Sequence, residues 1–186
     1  MRNRDSRVDP CEASTMDDPG LYRVRTATQK DCQELARMRG ALQTTMEGEN
    51  PCVWPMAEAR RSALPEFFAK CIDDPDVGVW VVDAAVGDQI ETVATLTARI
   101  AKGRDVPRFG IVDDAWVDAA HRGQGLCRRL MAELIAFFRQ REIVDLQLGF
   151  VEGGAAGAVW RHFGFTPTIV IANAKLDTIG AASQLG

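Results

Sequence analysis

Hydrophobic and polar positions recur along this chain with two periods, and the changes of period divide it into elements. Residues 21–26 alternate as a strand, Tyr22, Val24 and Thr26 on one side and Arg23 and Arg25 on the other. Thr28 then caps a helix, with Asp31 at the third position as an acidic variant of the capping box, and Leu35, Met38 and Leu42 run along the inner face. Across residues 44–55 the pattern breaks around Gly48, Pro51 and Pro55. A second helical pattern covers residues 58–71 with Leu64, Phe67, Phe68 and Cys71 inward, and Pro65 inside it predicts a break or a fresh start. Residues 73–76 form a turn. Residues 77–85 carry Val77, Val79 and Val81 on one face and Trp80 and Val82 on the other, so both faces are apolar and the strand is central. Gly87 and Asp88 make a hairpin turn, residues 90–100 return, 101–107 form an exposed loop, and 109–117 pair back antiparallel.

The second half repeats strand and helix. After strand 109–117 comes a turn with Gly123 and Gly125, then an amphipathic helix with Leu126, Leu130, Leu134 and Phe137 or Phe138 on one face. Residues 143–151 read as a strand, Val144, Leu146 and Leu148 against Asp145 and Gln147; the intervening helix makes it parallel to 109–117 and its neighbour. Small residues at 152–157 lead into a short helix ending at Phe163, with Gly164 as its C-cap, and residues 166–172, with Ile169, Val170 and Ile171, form the last strand. Residues 1–20 are polar, aperiodic and read as a disordered tail; 176–186 read as a frayed end; one domain spans 21–175. Periodicity alone gives an α/β or α+β class.

Composition narrows the partners. At 46% hydrophobic and 26% charged residues the chain is an ordinary globular domain, and its net charge of −4 argues against a nucleic-acid partner. No apolar run reaches the ~20 residues of a membrane span, and the N-terminus lacks the apolar core of a signal peptide. The five cysteines (Cys11, Cys32, Cys52, Cys71, Cys127) are odd in number and scattered, with no C-x-x-C, so a disulfide framework and a metal site are both disfavoured and a reducing cytoplasm is expected.

Strand, glycine turn and helix are a recipe for holding phosphate: glycine lets the backbone approach, and the free N–H groups of the first helical turn face the anion along the helix dipole. Neither G-x-G-x-x-G nor the P-loop pattern is met. Instead, Arg122-Gly123-Gln124-Gly125-Leu126-Cys127, following Ala115-Trp116-Val117, resembles the pyrophosphate loop [QR]-x-x-G-x-[GA] of the GNAT superfamily of acyl-CoA-dependent N-acyltransferases, Cys127 standing where the last small residue is usual. Residues 156–165, Ala-Gly-Ala-Val-Trp-Arg-His-Phe-Gly-Phe, resemble that family's A-x-x-[LF]-Y-x-x-x-G-F block, and residues 22–31 its opening strand and helix cap. The resemblance implies a mixed, mostly antiparallel sheet of six to seven strands with helices on both faces. It also implies transfer of an acetyl group from acetyl-CoA to a primary amine of a small molecule. The alternatives are a catalytically weak acyl-CoA-binding homologue or an enzyme acting on protein or peptide amines. A homodimer is left open, and no metal is called for.

The same resemblance distributes roles. Trp116, Val117, Arg122, Gly123, Gln124, Gly125, Leu126, Cys127, Arg128 and Trp160 would bind the cofactor, with Arg122 and Arg128 adding charge and Arg129 left on a solvated helix face. The Val117 N–H would serve as oxyanion donor, in a gap between strands that pantetheine fills. The base is a strand carboxylate. Asp113 and Asp114 are adjacent and expected on opposite faces, so at most one meets the acceptor, and Asp114 is preferred. Trp160 occupies the position where the family usually has tyrosine, and an indole N–H cannot protonate sulfur. Trp54 is either an acceptor-stacking residue or a core plug; His121 is placed on the surface and His162 is discounted.

Overall fold

The computed structural model describes residues 21–50, 52–53, 55–101 and 107–173. The expected tails, Trp54 and the tip of the 101–107 loop lie outside the described residues. A central sheet has strand order β1 (Tyr22–Thr26), β2 (Val77–Val86), β3 (Gln89–Ala101), β4 (Phe109–Val117), β5 (Leu146–Leu148). The first three pairings are antiparallel and β4–β5 is parallel, the arrangement the helix between them requires. This is the expected mixed sheet with helices on both faces, though among the described residues it has five strands where six to seven were expected. The expected strand at 166–172 accounts for the difference, and the one at 143–151 is shorter than expected. Of 143–151 only Leu146–Leu148 pairs. Residues 166–172 find no strand partner among the described residues, and Ile169, Val170 and Ile171 are 74–88% exposed.

One face of the sheet carries α1 (Cys32–Glu49), α2 (Glu58–Ser62) and α3 (Leu64–Asp73). There Val79 and Val81 of β2 pack with Ala27, Leu35, Leu64 and Phe68. The opposite face carries α4 (Leu126–Arg139) and α5 (Ala156–His162), whose Leu126, Leu130, Leu134, Phe138 and Trp160 pack with Trp80, Val82, Ala94, Leu96 and Val112. The two apolar faces of β2 thus serve two separate cores, as their sequence alternation implied. α1 outlasts the expected break at residue 44: Thr44 and Thr45 turn their hydroxyls onto the carbonyls of Gly40 and Ala41, which satisfies them within the helix to Glu49. Pro65 sits at the first turn of α3, where its missing N–H is harmless, and separates α3 from α2.

Arg25 ties the first layer to the sheet. Its guanidinium is bidentate to Asp31 (2.8 and 2.8 Å) and to Asp83 of β2 (2.6 and 3.0 Å). Asp31 also accepts from the Thr28 N–H (2.6 Å) and hydroxyl (2.9 Å), so the expected cap is present and the helix opens through a 3-10 turn. Arg25 holds the Asp31 carboxyl down at about 2, aided by Thr28 and against the opposing effect of burial. A carboxylate depressed in the fold stabilises it fully above the ordinary value and loses that contribution as pH falls through the folded one. Asp31→Asn is therefore expected to lower stability at pH 7 by about 1–3 kcal/mol and to flatten the fall in stability between about pH 4 and pH 2. Urea unfolding at several pH values measures both.

Candidate functional site

β4 is regular up to Val112 and then carries one residue too many. Its register with β3 runs Ala98↔Val112 and then Thr97↔Asp114, leaving Asp113 unpaired as a bulge. Before the bulge Gly110 and Val112 face the α4 core; after it Ala115 and Val117 do so, and Asp114 and Trp116 face α1. The expectation that Asp113 and Asp114 lie on opposite faces is corrected by this bulge. Both carboxylates lie on the α1–α3 side, where both act on the Cys71 thiol of α3.

Asp114 is 8% exposed and pairs with Arg39 of α1, Nε to Oδ1 at 2.8 Å. Burial pushes its carboxyl up to about 6, against the pull of Arg39, with the Asp113 charge adding to the rise. Asp113 is more open, bridges Arg99 at 3.1 Å, and is also raised by partial burial. Arg39 continues a polar row along α1: it donates to Gln43 (3.2 Å), which donates to Glu47 (2.8 Å), which accepts from the Met56 N–H (3.1 Å). Arg60 lies over the Phe67 ring at 4.4 Å and adds positive charge near Asp114. The sequence reading missed Arg39. The i, i+4, i+8 row of Arg39, Gln43 and Glu47 beside the apolar stripe of Leu35, Met38 and Leu42 is the signal that marks it.

Among the described residues the other edge of β4 is unpaired beyond Val112. Pairing with β5 covers only Gly110, Ile111 and Val112. The Asp118 N–H donates to Val93 of β3 at 2.9 Å, so by ladder alternation the N–H groups of Val117 and Ala115 point away from β3, into the gap. The Val117 carbonyl, on that same edge, accepts from Arg122 Nε at 3.0 Å. The Val117 side chain packs into the α4 core. Trp116 turns to the other face, its indole donating to Asp118 at 2.7 Å while the Arg122 guanidinium lies 5.2 Å from its ring.

The turn after β4 fits a diphosphate. Gly123 and Gly125 have φ of +77° and +70°, and a Cβ built at either would meet nothing within 4 Å. Both are required by backbone conformation, and their outer side is clear for close approach. Gly125 is the N-cap of α4 and offers no side-chain acceptor, and no acidic residue lies in the first turn. The N–H groups of Leu126, Cys127 and Arg128 are therefore without a side-chain cap, an arrangement that could accept an anion, with Gln124 and the exposed Arg122 and Arg128 beside them. The Leu126 side chain is core, and Cys127 is half-buried against it. Arg129 is not on a solvated face: its Nη2 donates to the Tyr22 carbonyl at 2.9 Å and ties α4 to β1. His121 is half-buried rather than superficial, its Nδ1 3.1 Å from the Tyr22 hydroxyl. Trp160 is 8% exposed and packs edge-on to Phe165 with ring centroids 5.8 Å apart. His162 is exposed, two residues away. Grooves of about 600 and 410 Å³ lie elsewhere; neither is lined by a residue of β4 or of the glycine turn, so concavity does not mark this site.

Comparison with known proteins places this arrangement. A profile described as the acetyltransferase (GNAT) family matches residues 41–165, and the chain belongs to that family. A predicted acetyltransferase from Clostridium acetobutylicum, solved with acetyl-CoA, is 20% identical with a TM-score of 0.65, over 84% of this chain and 97% of that one. The BH1408 protein from Bacillus halodurans, solved as a mutant, is 18% identical with a TM-score of 0.69, over 83% and 99%. Glucosamine-6-phosphate N-acetyltransferase from Arabidopsis thaliana is 15% identical with a TM-score of 0.59, over 83% and 98%. No curated protein matches the chain. The structures share the fold.

Gly125→Glu is expected to weaken acetyl-CoA binding roughly 10²-fold or more by placing a carboxylate where phosphate approaches. Gly125→Asn, which tolerates a positive φ, should lose less. Equal affinity of Gly125→Glu and wild type by calorimetry, with the fold intact, would dispose of the loop assignment. Trp160→Tyr and Trp160→Phe should lose stability about equally, by ~1–3 kcal/mol, because packing against Phe163 and Phe165 is what both give up. A gain in turnover confined to tyrosine would show that a hydroxyl matters there.

Proposed function

We propose that this GNAT-family protein transfers the acetyl group of acetyl-CoA directly to a primary amine of a small molecule. The observation that carries the reading is the bulge of β4. It sets a buried carboxylate with its pKa raised to about 6 on one face of the strand and an unpaired run of backbone N–H groups along the open edge, which ends at the glycine turn. Acetyl-CoA supplies an activated thioester. The first-turn N–H groups of α4, with Arg122 and Arg128, would hold its diphosphate. The Val117 N–H, which points away from β3, would donate to the carbonyl oxygen as negative charge grows on it.

An alkylammonium with a pKa near ~10.4 has to lose a proton before it can attack. Asp114 would take it, directly or through water, with Arg39 favouring its ionised form. The chain's single tyrosine, Tyr22, is on β1 and engaged with His121, and Trp160 has no proton to give, so the thiolate leaves without a dedicated acid. A thiol with a pKa near ~8.5 leaves tolerably unaided. Two fold neighbours that act on small-molecule amines, the glucosamine-6-phosphate enzyme and an aminoglycoside acetyltransferase from an uncultured soil metagenomic sample, support a small-molecule acceptor. The ion pair of Asp114 with Arg39 favours the second reading, in which the carboxylate is structural and the protein binds acyl-CoA with little turnover.

Release of free thiol from acetyl-CoA against a panel of amines separates the two. For the best amine, kcat/KM should fall as pH drops through about 6, because activity needs the ionised Asp114. Asp114→Asn should abolish that limb and cut turnover by about 10²-fold, leaving acetyl-CoA affinity unchanged, with the deficit shrinking as pH rises and free amine accumulates. If Asp113→Asn shows this signature and Asp114→Asn does not, the base is the other carboxylate.

A further inference from the structure

Helix α1 crosses the sheet. Its Leu35 packs with Val79 and Val81 of β2, its Arg39 reaches Asp114 of β4, and its last residue, Glu49, reaches past β5. There one Glu49 carboxylate oxygen accepts the Ala155 N–H at 3.0 Å. The other lies over Gly154, in the space a Cβ would need. Ala155 is the N-cap of α5 and supplies no side-chain cap, so the carboxylate takes an N–H that the helix itself leaves over. Because β5 is parallel to β4, the chain after Leu148 runs on beside the unpaired half of β4 and forms the far wall of the gap. In that wall Val151 is buried, and Phe150 packs against the same core as Ala115 and Val117. The wall's other polar contacts are local. The Gly154 N–H donates to the Val151 carbonyl (3.1 Å), the Gly157 N–H to the Gly154 carbonyl (3.2 Å), and Glu152 meets Arg161 (3.5 Å). Among the described residues, no hydrogen bond or ion pair of residues 149–155 other than that of Glu49 reaches beyond α5.

We propose that Glu49 is a positioning residue for acetyl-CoA: from the α1 side of the sheet its carboxylate clasps the head of α5 and so fixes the wall against which the cofactor lies. The inference rests on acetyl-CoA occupying the gap beside β4, as proposed above. A wall held in place beforehand does not have to be ordered when the cofactor binds, and the ordering cost saved appears as affinity. Glu49 takes no part in proton or acyl transfer, so its effect falls on binding and not on the chemical step. Gly154 belongs to the same device. Its φ is not in the left-handed region, so backbone conformation does not call for glycine there. Space does: a side chain would meet the Glu49 carboxylate, with the Val151 carbonyl 3.1 Å away on another side. The missing side chain is the room that the carboxylate occupies.

The test is acetyl-CoA binding to the full chain by calorimetry, with thermal unfolding as a check on the fold and steady-state thiol release beside it. Glu49→Ala should weaken acetyl-CoA about tenfold, the scale of one hydrogen bond to a charged group, and raise its KM to match, with kcat at saturating acetyl-CoA unchanged. Glu49→Gln keeps an oxygen that accepts the Ala155 N–H and should bind like wild type. Gly154→Ala pushes the carboxylate aside and should lose about as much as Glu49→Ala. The double variant should lose no more than either alone, because both break one contact. Wild-type affinity in Glu49→Ala, whatever its unfolding temperature, overturns the inference. So does a glutamine variant as weak as alanine, or a double variant in which the two losses multiply. Wild-type protein that fails to bind acetyl-CoA is a different result: it overturns the occupancy of the gap proposed above, and the Glu49 role with it.

Discussion

The site depends on one extra residue in β4. Had the strand run in phase through Asp113, the side chains at 110, 112, 114 and 116 would all face the α4 core. Asp114 would then sit among Leu126, Leu130 and Phe138, a carboxylate in an apolar layer with no cation, at a penalty of several kcal/mol. The bulge shifts the phase by one. Asp114 moves to the face that holds Arg39, and the small Ala115 and Val117 take the core positions. The same residue ends the straight run of β4, and its pairing with β5 stops at Val112. Carboxylate placement, core packing and the open edge are three results of one insertion.

Helix α1 fixes the distal part of that strand. Arg39 reaches Asp114 and, half a turn earlier, Arg37 reaches Asp118 at 2.6 Å, so two arginines of one helix grip β4 on either side of Val117. They are unequal. The Arg37 pair is exposed and worth at most about 1 kcal/mol. The Arg39 pair is buried, and such pairs add little net stability because desolvation offsets attraction; what they do is decide position and charge state. The opposite end of α1 is anchored by Arg25, Asp31 and Asp83, so the helix joins β1, β2 and β4 into one frame.

What was legible in the sequence was local. The glycine turn, the cap at Thr28, the break at Pro65, the αL cap at Gly164 and the two-faced apolar β2 are set by neighbours within a few residues, and composition reports them. What was not legible depends on pairing across distance. A bulge changes no residue type, so alternation read through Asp113 and Asp114 gave the wrong phase. Residues 166–172 have the β-branched composition of a strand, yet strand formation needs an edge to pair with, and no pairing to β5 is made. The role of Arg39 was hidden because an arginine beside an apolar helical stripe ordinarily points to solvent.

The charge state of Asp114 is a compromise between two opposed effects, one that would serve the base proposed above. Burial raises the carboxyl's pKa, and Arg39 pulls it back down. Together they give about 6, at which roughly nine-tenths of the groups are ionised at pH 7. The proton affinity is then above that of an ordinary aspartate, which narrows the gap to an ammonium near ~10.4. The fold concedes stability for this. An acid whose pKa is raised in the native state binds more protons folded than unfolded between its ordinary and its raised value, so its contribution turns unfavourable as pH rises through that window. The bulge and the arginine together set where the buried acid sits and how tightly it holds its proton.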